Sequence, residues 1–353
     1  MLISEIKLPT GTSTLPNNKI VMKKASVIIP TYKRVELLNR VLNSLIAQDN
    51  IHEILVIDSK SADGTKSLVE KYNQNSVINI RHIDVDNNVS LKRNTGIKES
   101  SSNQLIFLDD DCIPDKYFVR EHLNSMAKYP NDLHCGDIFF PKELVKTSNY
   151  IRYKESRHIP YRYSKSNNLD LDFKSIVTMN MSINKDQILK NKLFFREDFI
   201  GYGMEDNEFG CQVIASNIKI KKSSASIQHL EGNDPFIFAT KIFHTARDGV
   251  YKLKSVNNKA VMKLPYSYFF ETDYVHKNIL IKCFIISLRF LFTTKIAKYV
   301  LKVLNVTDRY KVLYFPILYK YVYASYYKKG VNKRKEAYKS SDEVINSWYT
   351  EDT

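Results

Sequence analysis

Leu105-Ile106-Phe107-Leu108-Asp109-Asp110-Asp111-Cys112-Ile113-Pro114 runs four apolar residues straight into three carboxylates. The apolar run has the length of a buried strand, and buried parallel strands read as continuous hydrophobic runs. Three adjacent aspartates at a strand end repel one another unless a cation or hydrogen-bond donors sit among them. In a pleated strand Asp109 and Asp111 point one way and Asp110 the other. Two same-side carboxylates beside an open strand end suit a hard divalent cation, Mg²⁺ or Mn²⁺, with positions left for phosphate oxygens. A solvated acidic turn is the plainer alternative.

The segments upstream weigh against that alternative. Ala25–Pro30 is a β-branched run, Glu53–Ile57 a second buried run ending at Asp58, and Asn79–Ile83 a third. Between them lie helical patterns: Val35 to Ile46 at helical spacing, a short helix over Thr65–Tyr72, and Val89–Ser100 carrying Lys92 and Arg93. Strands alternating with helices indicate β-α-β units and a parallel sheet. In such sheets ligands bind beyond the carboxyl ends of the strands. The Thr31–Arg34 loop, Asp58 and Asp109–Asp111 all fall at such ends. The chain has neither GxGxxG nor GxxxxGK[ST]. Pyrophosphate charge must then be met by metal and basic side chains rather than by a glycine cradle.

At 353 residues, 43% of them hydrophobic, the chain can bury a sizeable core. Its four cysteines (Cys112, Cys135, Cys211, Cys283) lie far apart without metal spacing, and read as reduced thiols of a cytosolic protein. The N-terminal 20 residues lack the basic start and apolar run of a signal peptide. Net charge is +15, and residues 250–353 hold 19 Lys/Arg against 8 Asp/Glu. Such a surface serves nucleic acid, anionic lipid or a phosphorylated small molecule. No zinc-finger spacing, RNP-like motif or helix-turn-helix accompanies it, so nucleic acid is not expected.

The motifs VIIPTYKR, VIDSKSADGT, LKRNTGI and FLDDDCIPD, in that order over about residues 25–130, resemble the inverting family 2 glycosyltransferases of GT-A fold. That resemblance implies an α/β, Rossmann-like mixed sheet flanked by helices. It also implies binding of a nucleotide-sugar. Pro30, Tyr32 and Arg34 would frame the uracil pocket, and Asp58 would accept from the uracil N3–H. Arg93 would lie near the nucleotide, Asp110 or Asp109 would reach the ribose, and Asp111 would hold the metal. Lys60 stands where the family usually has Gly.

Downstream, a helix over 116–129 and a strand over Leu133–Phe140 are expected. Lys142–Asp172 is rich in Tyr, Arg, Ser and Asn with little periodicity, and reads either as a loop flap for an acceptor or as a poorly ordered insertion. Ser175–Asn184 reads as a strand of alternating character. Gly201-Tyr202-Gly203-Met204-Glu205-Asp206 sets two glycines before an acidic helix start, which lets backbone approach a ligand closely. Acidic first turns are also common without catalysis. The segment is similar to the acceptor half of β-1,4-galactosyltransferases and chondroitin-polymerase-like enzymes. By that similarity Asp206 is the catalytic base and Glu205 binds acceptor hydroxyls beside Tyr202 and Gly203. Tyr202 replaces a Trp and Met204 a Gly. Ala225–Leu230 reads as a strand. In the resembling enzymes a His at the place of His229 completes the metal site, which favours Mn²⁺ over Mg²⁺. Asp234 and Pro235 open a helix through Tyr251.

Ile279–Thr293 is apolar over about 15 residues, short of the ~20 that span a bilayer, and contains Lys282 and Arg289. It suits a helix lying in an anionic membrane surface, or one packed on the domain or on a second copy. The expected organisation is a lead-in over 1–24, a donor half over 25–135, an acceptor half over 136–250 and a basic helical region over 251–353. The implied activity is metal-dependent transfer of a galactose- or N-acetylhexosamine-type sugar from a UDP-sugar to a glycan or lipid-linked oligosaccharide. The implied setting is bacterial surface-polysaccharide synthesis at the inner face of the plasma membrane. A non-catalytic GT-A scaffold that binds glycan or nucleotide, and a sugar nucleotidyltransferase, are the alternatives.

Overall fold

The computed structural model describes residues 23–162, 171–230, 232, 234–267 and 279–333. Their centre is an eight-stranded mixed sheet in the order β3-β2-β1-β4-β7-β6-β8-β5. β1 (Ala25–Thr31), β2 (Ile51–Asp58), β3 (Asn79–Asp84) and β4 (Gln104–Leu108) run parallel. β7 (Asn180–Asn184) then pairs antiparallel with β4, and β6 (Leu133–Phe139) lies between β7 and β8 (Ile220–His229). This is the GT-A arrangement. Every residue of β1, β4 and β7 is buried, as strands covered on both faces must be.

One core lies under α1 (Val35–Leu45), α2 (Thr65–Gln74) and α4 (Phe118–Lys128), and joins Leu38, Val69 and Phe118 to Val27 and Ile106. The opposite face carries Phe107, Ile28 and Met181 against α3 (Val89–Glu99), α7 (Lys185–Asn191) and α8 (Glu205–Ala215). Phe195 stacks on Phe209 there at 4.2 Å between centroids.

The structure departs from the sequence reading in four places. The segment from Lys142, expected to be a loop, forms α5 (Lys142–Thr147) and α6 (Asn149–Arg162); residues 163–170 lie outside the described residues. Tyr150, Ile151 and Tyr153 of α6 are buried against Tyr319 and Tyr323 of the helix Pro316–Asn332. Tertiary contacts here stabilise a helix whose sequence lacks a clear apolar stripe. The strand expected over Ser175–Asn184 begins only at Asn180, after a single 3₁₀ turn, and it is buried throughout rather than alternating. The helix expected from Pro235 to Tyr251 ends at His244 as α9 (Pro235–His244) and passes through a π-helical turn, Thr245–Gly249, before helix resumes. β5 (Cys112–Pro114) is a three-residue strand with no signal of its own.

Beyond the sheet, helices Thr294–Thr307 and Pro316–Asn332 pack on α6 and α9 in a cluster that includes Phe243, Leu301 and Val322, and helix Ile279–Arg289 meets the last of them where Lys328 Nζ donates to the Arg289 carbonyl at 2.6 Å. No helix among the described residues is long and apolar enough to cross a membrane.

Candidate active site

The parallel register sets Thr31 beside Asp58 at the strand ends, and β4 delivers Asp109–Asp111 next to them. The Thr31 hydroxyl donates to Asp110 Oδ2 at 2.7 Å. Arg34 Nη1 lies 3.0 Å from Asp110 Oδ1 and 2.9 Å from Asp111 Oδ2. Burial works against the Arg34 cation, but the two carboxylates outweigh it and hold its pKa above the ordinary value. Lys92, buried under this loop, donates to the Thr31 carbonyl at 2.9 Å. Burial pushes its ammonium down to about 8, against the pull of Asp110 and Asp58.

β5 explains the position of Asp111. Cys112 pairs with His229 across the β5–β8 ladder, and Leu230 N donates to the Asp111 carbonyl at 2.9 Å. His229 Nε2 thereby lies 3.6 Å from Asp111 Oδ1. Burial alone would raise the Asp111 pKa; His229 and Arg34 instead hold it below the usual carboxylate range. Asp111, Cys112 and His229 offer ligand atoms within 4.8 Å of one another. Burial raises the Cys112 thiol well above its ordinary pKa, so it stays protonated and is a poor ligand. A carboxylate and an imidazole that both face an open cavity form a donor set that fits Mn²⁺ or Mg²⁺.

Asp206 and Glu205 stand in the first turn of α8. Arg93, from α3, is 4% exposed and inserts between the two sides of the site. Its Nη1 lies 3.1 Å from Glu205 Oε1 and 3.1 Å from Asp206 Oδ1, and its Nη2 3.6 Å from Asp109 Oδ1. The Thr178 hydroxyl lies 3.0 Å from both Asp206 oxygens, and Thr178 N donates to Oδ2 at 3.3 Å. Burial raises Glu205, repulsion from Asp206 adds to it, and Arg93 opposes both. Burial likewise pushes Asp109 up to about 7, with Arg93 opposing and the Asp111 and Asp206 carboxylates reinforcing.

A cavity of about 580 Å³ is lined by Arg34, Asp109, Asp111, His229 and Tyr202; Glu205 and Asp206 do not line it, and are tied to its Asp109 wall through Arg93. Gly203 adopts φ +82° and Met204 φ +73°, the left-handed region that favours glycine. Gly249, in the π-helical turn, lies so close under the Tyr202 and Gly203 carbonyls that a Cβ would overlap them. π turns of this kind recur beside functional sites.

Asp58 lies apart from the cavity lining. It is buried, accepts from the Ser61 hydroxyl and from Ser61 N at 3.2 Å, and meets His82 Nε2 at 3.2 Å. Pro30 is buried in β1. Tyr32 sits 5.0 Å from Lys33 Nζ and 5.6 Å from Lys92 Nζ, measured from its ring centroid. Sequence reasoning named Lys92 but gave it no role, and did not single out Thr178, His82 or the cavity-lining Lys154, Arg157 and Lys241. Thr178 belongs to no motif, Lys154 and Arg157 fall in a segment without usable periodicity, and Lys241 lies on an expected helix that carries no motif of its own.

The matching family model, glycosyl transferase family 2, covers residues 26–193. The family 2 segment contains both the aspartate triplet and Arg93. Glycosyltransferase AglE of Haloferax volcanii is 30% identical over 196 residues, which are 54% of this chain and 55% of that protein. The chondroitin synthase of Escherichia coli is 24% identical over 227 residues, covering 55% of this chain and 33% of the relative. The chain thus spans about half or less of the length of these curated relatives. Among solved structures, the mannosyltransferase PcManGT of Pyrobaculum calidifontis, in complex with GDP-Man and Mn²⁺, shares the fold. Its TM-score is 0.53 at 13% identity, with 88% of each chain covered.

Proposed function

We propose that the chain transfers a galactose- or N-acetylhexosamine-type sugar from a UDP-sugar to a glycan hydroxyl, with inversion, in the assembly of a bacterial surface polysaccharide. The observation that carries this reading is Arg93, which holds Asp206 and Asp109 within one ion-paired cluster, beside the cavity that Asp109, Asp111 and His229 line. The similarity to a chondroitin synthase supports a glycan acceptor.

An acceptor hydroxyl is a weak nucleophile at neutral pH and needs a base as its bond to the sugar C1 forms. Asp206 takes that proton. A carboxylate has roughly four lone-pair positions. Arg93, the Thr178 hydroxyl and Thr178 N occupy three, which leaves one for the acceptor and fixes the carboxylate's direction. Glu205, raised by burial, offers hydrogen bonds to neighbouring acceptor hydroxyls. As the new bond forms, the C1–O bond to the UDP β-phosphate breaks and its electrons leave with UDP. A divalent ion bound by Asp111 and His229 would supply charge stabilisation for that leaving group. Arg34, fixed by Asp110 and Asp111, holds the strand end that faces the nucleotide. Attack from the side opposite UDP inverts the anomeric centre.

The C-terminal helices fit peripheral attachment to the inner face of a membrane, where lipid-linked acceptors are presented. Helix Thr294–Thr307 buries Ala297, Leu301 and Leu304 and turns Ile296, Tyr299, Val303 and Val306 outward. Lys295, Lys298 and Lys302 flank that apolar face. Cations beside an exposed apolar stripe match an anionic interface. A thermal-shift panel of UDP-, GDP-, CMP- and dTDP-sugars, with and without Mn²⁺, tests the donor. The largest shift is expected with UDP compounds and Mn²⁺; a preference for any other nucleotide removes the donor assignment.

A further inference from the structure

His82 of β3 takes no part in the steps described above, yet its imidazole adjoins the carboxylate that ends β2. The register sets Val56 against His82 and Asp58 against Asp84. His82 Nε2 lies 3.2 Å from Asp58 Oδ2 and 3.7 Å from Asp84 Oδ1. Only the first is a hydrogen-bond distance. The two side chains are 9% and 3% exposed, so little water competes for this contact.

The Asp58 carboxylate has about four acceptor positions, two on each oxygen. Oδ2 accepts from Ser61 N at 3.2 Å and from His82 Nε2 at 3.2 Å. Oδ1 accepts from the Ser61 hydroxyl, which is itself fixed by accepting from Lys33 N at 2.7 Å. A single position remains, on Oδ1. Asp58 ends β2 level with Thr31, whose hydroxyl binds Asp110. The bases differ in what they offer such a carboxylate. Cytosine and adenine present a ring nitrogen that is itself an acceptor, and are repelled. Uracil presents one donor, N3–H, between two carbonyls. Guanine presents two adjacent donors, N1–H and the 2-amino group, which a carboxylate meets with both of its oxygens. With Oδ2 filled, uracil is paired in full and one guanine donor is left without an acceptor.

We infer that His82, by occupying the second oxygen of Asp58, selects uracil over guanine. This rests on the reading of Asp58 as the base contact of a UDP-sugar site and names the residue that sets its choice. His82 acts through Asp58 and is a positioning residue. The test is calorimetry on the full chain with Mn²⁺, titrated with UDP, dTDP, GDP and inosine diphosphate, whose base keeps the guanine N1–H and lacks the 2-amino group. An unpaired donor costs about tenfold or more in affinity, so UDP is expected to bind at least that much tighter than GDP. Inosine diphosphate is expected to bind no weaker than GDP, and purine size cancels in that comparison. His82→Leu frees a position on Oδ2 and raises GDP relative to inosine diphosphate about fivefold or more; His82→Gln, which keeps a donor, restores the parent ratio. A parent that binds GDP as tightly as UDP, or clearly tighter than inosine diphosphate, overturns the inference, and this comparison needs no variant to fold. An unchanged ratio in His82→Leu overturns it as well. If dTDP binds and UDP does not, the UDP assignment falls while the inference stands, because thymine presents the same N3–H. If no nucleotide binds, both fall.

Discussion

Arg93 contacts three carboxylates that come from distant parts of the chain: Asp109, Glu205 and Asp206. Removing a buried cation leaves its partners uncompensated, at a cost of about 3–5 kcal/mol. Arg93→Met is therefore expected to lower stability by that order in urea unfolding; a loss under about 1 kcal/mol would contradict the role given to it. Lys60 shows how much of the site was legible residue by residue. It stands where the resembling family has glycine, and its φ of 54° is the left-handed conformation that glycine tolerates. The same holds for Met204 at φ 73°. Lys60→Gly relieves backbone strain but gains unfolded-state entropy, and each term is on the order of 1 kcal/mol. Its melting temperature is expected within a few degrees of the parent. Thr178 was not legible, because its contact with Asp206 exists only once β7 and α8 are packed.

The elements that build the site differ in how clearly they were written. The parallel strands β1, β2 and β4 were plain in the sequence because each is a continuous apolar run ending at a polar residue. β5 was not, because three residues give no periodicity, and yet its pairing with β8 sets His229 beside Asp111. Helix α6 was hidden for another reason: its buried tyrosines meet partners more than 150 residues away. The π-helical turn Thr245–Gly249 was likewise invisible, and it supports the Tyr202–Gly203 backbone through Gly249. Gly249→Ala must push that loop aside. It is expected to impair acceptor use at least tenfold while leaving UDP affinity within about threefold, by comparing apparent KM for acceptor with UDP titration. A larger effect on UDP than on acceptor would place the loop on the donor side.

At the scale of the molecule, two properties follow from what is buried and what is exposed. His122 and His134 are fully buried; His122 Nε2 lies 2.8 Å from Asn180 Oδ1, and His134 Nε2 lies 3.0 Å from the Tyr129 carbonyl. Burial pushes them down to about 3 and about 4. The unfolded chain takes up these protons near pH 6.5, and the native chain does not. Their contribution is therefore fully present above about pH 6.5 and is lost as pH falls towards 4 and then 3. The expected slope approaches about 1.4 kcal/mol per pH unit for each histidine. Urea midpoints between pH 7.5 and 5 check this, and His134→Gln should flatten the curve. The exposed stripe on helix Thr294–Thr307 predicts flotation with phosphatidylglycerol vesicles and not with neutral ones. Val303→Glu with Val306→Glu should abolish it. Equal flotation of parent and variant would contradict membrane attachment through this face.

The measurement that bears most directly on sugar transfer is UDP release from UDP-galactose and UDP-N-acetylgalactosamine with Mn²⁺, water taking the place of the acceptor hydroxyl, in the parent chain and in Asp206→Asn, with UDP affinity determined for both. The account predicts release by the parent and a fall of about 10²–10⁴-fold in the variant, with UDP affinity within twofold. Undiminished release by Asp206→Asn, or no release from either donor by the parent, would contradict it.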